Sequence, residues 1–180
     1  MSSTPTLRFN LPTILTLSRV FMIPVFIVLA PEHPAAGAVI FTLASVTDWF
    51  DGYLARRMGA VTKFGIIMDP IADKFLVISA LVLLVDMVRL PVWIAAALII
   101  REFLVTALRA VALSKGIIIP AETGGKIKAA LQYIAIVCLI LGGELLGLDL
   151  YDLGMVLMYT ALVLAVTSGV KYTISFWKAL

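Results

Sequence analysis

The chain has 180 residues, of which 62% are hydrophobic and 14% charged, with a formal net charge of +3 and a mean hydropathy of +1.11. That balance excludes a water-soluble globular domain and predicts a polytopic integral membrane protein. Apolar runs of bilayer-crossing length recur along almost the whole sequence, so residues 1–180 read as one membrane domain with no separate soluble part.

The N-terminal stretch MSSTPTLRFNLPTILTLSRV has no small-residue cleavage site after a short apolar core and runs on into FMIPVFIVLA. This predicts a retained first helix near residues 12–30 rather than a removed signal peptide. Apolar runs bounded by Gly, Pro and charge clusters predict five further helices, near 36–57, 66–86, 91–113, 126–146 and 150–174. The fold class expected is all-α: six transmembrane helices in one bundle, with a polar cavity facing the cytoplasm. His33, the single histidine, sits between the first two runs and reads as a loop residue rather than a metal ligand. Cys138, the single cysteine, lies in an apolar run, which rules out an internal disulfide or a thiolate metal cluster built from this chain alone.

Loop charges set the orientation. Arg8, Arg56, Arg57, Lys63, Lys115, Lys126, Lys128, Lys171 and Lys178 fall on one side of a six-span topology and only Arg89 on the other. The positive-inside rule then places both termini and the 57–66 and 114–126 loops in the cytoplasm. Such a basic face suits anionic lipid headgroups and is no sign of nucleic-acid binding.

The third span carries Asp69, Pro70, Asp73 and Lys74, and the fourth Arg101, Glu102 and Arg109, groups that a purely lipid-facing helix would not carry. Asp48 and Asp51 are three residues apart and Asp69 and Asp73 four apart, so each pair shares a helix face. Short-looped antiparallel neighbours would bring the four carboxylates together near the cytoplasmic surface. Each charge at membrane depth costs about 2.5 to 3.5 kcal/mol on insertion scales, so the quartet must be paired, protonated or bound to cations. Arg56, Arg57, Lys63 and Lys74 offer a salt-bridge alternative, but oxygen ligands without His or Cys suit hard cations, Mg2+ or Mn2+, and two ions would fit. Gly52 and Ala55 open space on the face of the first acid pair, and Gly65 stands one turn before Asp69.

The pattern resembles the signature of the CDP-alcohol phosphotransferase family, D-x-x-D-G-x-x-A-R followed by G-x-x-x-D-x-x-x-D. Asp48, Asp51, Gly52, Ala55, Arg56, Gly65, Asp69 and Asp73 fill every fixed position. The segments FNLPTILTLSRVFMIP, IREFLVTALR and GGKIKAALQ further resemble the bacterial members that use glycerol 3-phosphate as acceptor. The resemblance implies transfer of a phosphatidyl group from CDP-diacylglycerol to sn-glycerol 3-phosphate, releasing CMP in phospholipid biosynthesis at the bacterial inner membrane. It implies Asp48, Asp51 and Asp69 as metal ligands, and Asp73 as general base that also touches the second metal. Asp48, Gly52, Ala55, Arg56 and Gly65 would bind CDP-diacylglycerol, with Arg56 placed for a bidentate pair to the diphosphate.

The acceptor phosphate calls for cations not used by the donor, and Arg101, Arg109, Lys126 and Lys128 are the candidates, with Thr13 and Arg19 as family-like positions near the same cavity. Helix geometry puts Arg101 within about a quarter-turn of Arg109, as two buried arginines with only Glu102 on their helix. Lys126 and Lys128 are about 200 degrees apart on a helix and do not share a direction. Snorkelling to the cytoplasmic surface is their alternative use. Inositol phosphate, serine or phosphatidylglycerol as acceptor is the competing reading within the family, and a divalent-cation channel or carrier the competing reading from another class. The run GGELLG is compatible with helix contact in a homodimer.

Overall fold

The computed structural model describes residues 11–58, 63–116, 123–145 and 147–179, and their side chains except those of 11–17, 19, 48–58, 63–73, 123–126 and 179. Among these residues six α-helices follow one another: α1 Leu11–Leu29, α2 Pro34–Met58, α3 Lys63–Asp86, α4 Val92–Ser114, α5 Thr123–Leu141 and α6 Leu150–Ala179. The helical class and the number of helices agree with the sequence reading.

The link between α5 and α6 differs from that reading. α5 stops at Leu141 rather than running on to the expected 146. Instead β1 (Glu144–Leu145) pairs antiparallel with β2 (Leu148–Asp149), Glu144 opposite Asp149 and Leu145 opposite Leu148. The reason is backbone conformation: Gly142, Gly143 and Gly147 take φ values of 55, 74 and 79°, the left-handed region that ends a helix and reverses a hairpin at little cost for glycine. Asp149 Oδ1 then accepts the N–H groups of Tyr151 (2.8 Å) and Asp152 (3.2 Å), capping the start of α6.

The chain forms two compact units, Met1–Ser79 and Ala80–Leu180. In the first, α1 packs on α2. Phe26 and Phe41 are fully buried with ring centroids 5.7 Å apart, and a Cβ added at Gly37 would come 2.4 Å from Ala30 Cβ, so the tight α1–α2 reversal requires glycine there. His33 is exposed in that reversal and donates its backbone N–H to Leu29 O (2.8 Å).

In the second unit α6 packs on both α4 and α5. Its buried seam runs Gly154, Met158, Ala161, Ala165, Ser168 and Tyr172, alternating steps of four and three that hold one stripe along the helix. Small residues dominate the seam and let backbones approach: a Cβ at Gly154 would sit 2.8 Å from Leu139 Cγ of α5. The opposite face is apolar and uncovered, with Val156, Val163, Val170 and Trp177 all exposed at seven-residue intervals. α6 is long and apolar enough to cross a bilayer, Leu150–Lys178, and only 33% of its most apolar window is buried by protein. A soluble core helix would be mostly covered, whereas a helix bordered by lipid is not.

Arg89, the lone cation of the loops on its side, follows α3 at a turn where Val88 adopts φ 56°. Its Nη1 donates to Leu139 O at 2.9 Å and also to Ile140 O. These carbonyls lie in the last turn of α5, which has no intrahelical partners for them and carries the negative end of the helix dipole. Arg89→Leu is expected to lower the thermal midpoint in detergent, by an amount equivalent to about 1 to 3 kcal/mol for the stranded carbonyls, with Arg89→Lys recovering part. An unchanged midpoint in Arg89→Leu would refute this capping role.

Candidate active site

The buried face of α4, apolar at Ile94, Ala95, Leu98, Val105 and Ala112, is interrupted midway by the half-buried Arg101 and Glu102. Arg101 reaches α6 with three directed groups. Nε donates to Ala165 O (2.9 Å), Nη2 to Ser168 Oγ (2.8 Å) and Nη1 to Glu102 Oε1 (3.1 Å). Gly169 lies beneath this side chain, where a Cβ would meet Arg101 Cγ at 3.4 Å and Nε at 3.5 Å, ordinary contact distances. The side chain lies against bare α6 backbone.

From α5, Lys128 Nζ also donates to Glu102 Oε1, so one carboxylate oxygen is shared by cations from two helices. Lys128 is 5% exposed, so its ammonium does not snorkel to the surface: the fixed anion on α4 outweighs the pull of water. The Glu102 side chain keeps 22% exposure and that of Arg101 15%, which puts the cluster at the edge of the interior. Thr106 Oγ1 donates back to Glu102 O (2.7 Å) and stays exposed on the same helix.

Arg109 departs from the expectation of two buried arginines. It is exposed, and its guanidinium carbon lies 6.0 Å from the ring centroid of Tyr172, itself 6% exposed. Two turns along α4 the partner on α6 is an aromatic ring rather than a glycine, so the side chain rides over the ring instead of sinking beside the backbone. Arg101 is thus fixed by three protein acceptor atoms, while Arg109 is exposed beside the Tyr172 ring.

Sequence reasoning missed Ser168, Gly169, Tyr172 and Gln132. The first two form a small pair in an apolar helix, a signal that could have marked a close approach. Gln132 is 3% exposed, one turn beyond Lys128 on the buried stripe of α5, and its Nε2 has no hydrogen-bond partner. An amide in an otherwise apolar span was itself a readable signal.

Of the donor-side candidates, Asp48, Asp51, Gly52, Ala55 and Arg56 fall in α2, and Gly65, Asp69 and Asp73 in α3. α2 and α3 are continuous through these positions, α3 through Pro70 included, so the three- and four-residue spacings are helical spacings. The side chains of these residues, and of Thr13, Arg19 and Lys126, lie outside the described residues. Among the described residues no group of three His, Cys, Asp or Glu side chains could hold a metal, which leaves the four-aspartate set, an all-oxygen donor set suited to hard divalent cations, as the metal candidate.

Residues 9–167 match the model of the CDP-alcohol phosphatidyltransferase family, and the chain belongs to that family. It is 39% identical to the CDP-diacylglycerol–glycerol-3-phosphate 3-phosphatidyltransferase of Bacillus subtilis strain 168, over 96% of this chain and 97% of that protein. A probable phosphatidylglycerophosphate synthase of Mycobacterium tuberculosis H37Rv is 42% identical over 91% of this chain and 79% of its own length. The CDP-diacylglycerol–glycerol-3-phosphate 3-phosphatidyltransferase of Escherichia coli K12 is 42% identical over 74% and 78%.

Removing the shared carboxylate leaves Arg101 and Lys128 without their common anion. Glu102→Ala is expected to destabilise the protein by roughly 2 to 4 kcal/mol, somewhat less than a fully buried pair because of the partial exposure of Glu102. Ser168→Ala removes one charge-assisted bond and is expected to cost about 1 to 2 kcal/mol. Thermal melts in one detergent decide the order, and a Ser168→Ala loss equal to that of Glu102→Ala would contradict it.

Proposed function

We propose that the chain transfers the phosphatidyl group of CDP-diacylglycerol to sn-glycerol 3-phosphate, giving phosphatidylglycerol phosphate and CMP. The observation that carries the reading is similarity at 38–42% identity, over most of the chain, to proteins named for this reaction. The filled family signature on two continuous helices supports the same donor chemistry. We place the whole chain in the bacterial cytoplasmic membrane as one six-span domain, with both termini and a polar cavity on the cytoplasmic side. The uncovered apolar face of α6 and the one-sided loop cations support this placement.

In this reading Asp48, Asp51, Asp69 and Asp73 hold two divalent cations, Mg2+ or Mn2+, which when bound neutralise the diphosphate and the departing CMP phosphate. Gly52, Ala55 and Gly65 leave room for the nucleotide against helix backbone, and Arg56 donates a bidentate pair to the diphosphate. Asp73 accepts the proton of the attacking glycerol hydroxyl as its oxygen bonds to the lipid-side phosphorus. The bond from that phosphorus to the CMP oxygen breaks, and its electron pair leaves with CMP.

On the acceptor side the exposed guanidinium of Arg109 takes the glycerol phosphate, with Lys126, Thr13 and Arg19 assigned to the same pocket. Arg101 and Lys128, bound to each other through Glu102, shape that pocket and add positive potential. A homodimer is part of the proposal.

The test is CMP release by purified protein given CDP-diacylglycerol, Mg2+ or Mn2+, and each candidate acceptor in turn. Glycerol 3-phosphate is expected to support turnover, ahead of inositol phosphate, serine and phosphatidylglycerol. Ion flux in proteoliposomes without CMP release would replace the enzyme reading with the channel one. Asp73→Asn is expected to abolish turnover while sparing CDP-diacylglycerol binding. Arg109→Ala should raise KM for glycerol 3-phosphate about 10- to 100-fold with the melting temperature little changed, as expected for loss of a charge-assisted contact made to ligand rather than to protein.

A further inference from the structure

The buried stripe of α5 changes character once along its length. Lys128 and Gln132 are polar, and Ala135, Ile136, Leu139 and Ile140 after them are apolar. On α4 the half-buried Arg101 follows the buried Leu98 and precedes the buried Val105 and Ala112, and on α6 Ser168 lies on the buried stripe between Ala165 and Tyr172. Gln132 is therefore the last polar group on the α5 stripe before the apolar half. Helix rise puts it about 6 Å beyond Lys128 along the axis.

A buried N–H without a partner costs about 1 to 3 kcal/mol, and the apolar turn that follows, Ala135 and Ile136, makes a glutamine there expensive to retain for packing alone. Leu or Met would fill the volume without that penalty. An amide nitrogen only donates, so what satisfies it must present an acceptor oxygen. The cations of this cluster suit a phosphate, whereas a neutral amide suits an uncharged oxygen, to which it can bond without desolvating a further charge.

We propose that Gln132 is a specificity-determining residue, its Nε2 donating to a hydroxyl oxygen of the polyol phosphate acceptor. The inference rests on the proposed phosphatidyl transfer and deepens it by naming a reader of the acceptor's hydroxyl pattern. The amide is one turn from the Lys128–Glu102 pair, on the element that carries the acceptor-side lysines.

The test compares wild type with Gln132→Met and Gln132→Leu for CMP release. Acceptors are glycerol 3-phosphate and its analogue lacking the 2-hydroxyl, 3-hydroxypropyl phosphate, and thermal midpoints are recorded in the same detergent. Both variants are expected to melt at or above the wild-type temperature and to raise KM for glycerol 3-phosphate about 10-fold, the loss of one neutral hydrogen bond. KM for CDP-diacylglycerol should stay constant, and the wild-type preference for glycerol 3-phosphate over the deoxy analogue should shrink. Unchanged KM and unchanged discrimination in whichever variant folds would overturn the inference, as would a lowered midpoint with wild-type acceptor kinetics. Failure of the underlying reading shows separately: wild type would then release no CMP with glycerol 3-phosphate but do so with another acceptor, and Gln132 would be judged on KM for that acceptor.

Discussion

One carboxylate oxygen, Glu102 Oε1, holds the second unit's polar interior together. It accepts from Arg101 on its own helix and from Lys128 on α5, and Arg101 passes the connection to α6 through Ala165 O and Ser168 Oγ. Three helices are joined by three charges, none of which would be stable there alone. Removing charge from water is unfavourable by several kcal/mol per ion, and only a closed set of charge-assisted bonds offsets it.

Apolar packing surrounds that cluster in the rest of the unit. Beyond Leu98, Gln132 and Ser168 the buried stripes are apolar, and close packing takes over from charge, with Gly154 admitting Leu139. Water cannot satisfy backbone groups at a buried helix end, so the terminus of α5 draws Arg89 onto its carbonyls. The outward faces need no such provision. Val156, Val163, Val170 and Trp177 stand uncovered, as suits a helix whose solvent on that side is hydrocarbon.

Helix number and position were legible in the sequence because apolar length and Gly, Pro and charge punctuation act locally. The helical positions of the four aspartates were legible for the same reason, since α2 and α3 run uninterrupted through them, while their side chains lie outside the described residues. GGELLG was misread because small residues serve close helix packing and left-handed turns equally well, and only the φ angles separate the two uses. Arg101 and Arg109 looked equivalent because periodicity gives direction around a helix but not what waits on the next one. Gly169 faces the first and Tyr172 the second. Lys128 likewise depended on an anion 26 residues away in sequence.

This inequality between the arginines bears on how an anionic substrate can be recognised. Arg101 already commits three of its five N–H donors to Ala165, Ser168 and Glu102, so turning the guanidinium toward a phosphate would loosen the contact between α4 and α6. Arg109 makes no comparable sacrifice, since a cation over an aromatic ring keeps its in-plane donors directed away from the ring face. For the acceptor site proposed above, a rigid cation that sets the potential beside an exposed cation that makes the contact is the cheaper arrangement for a small dianion that must enter and leave with every turnover.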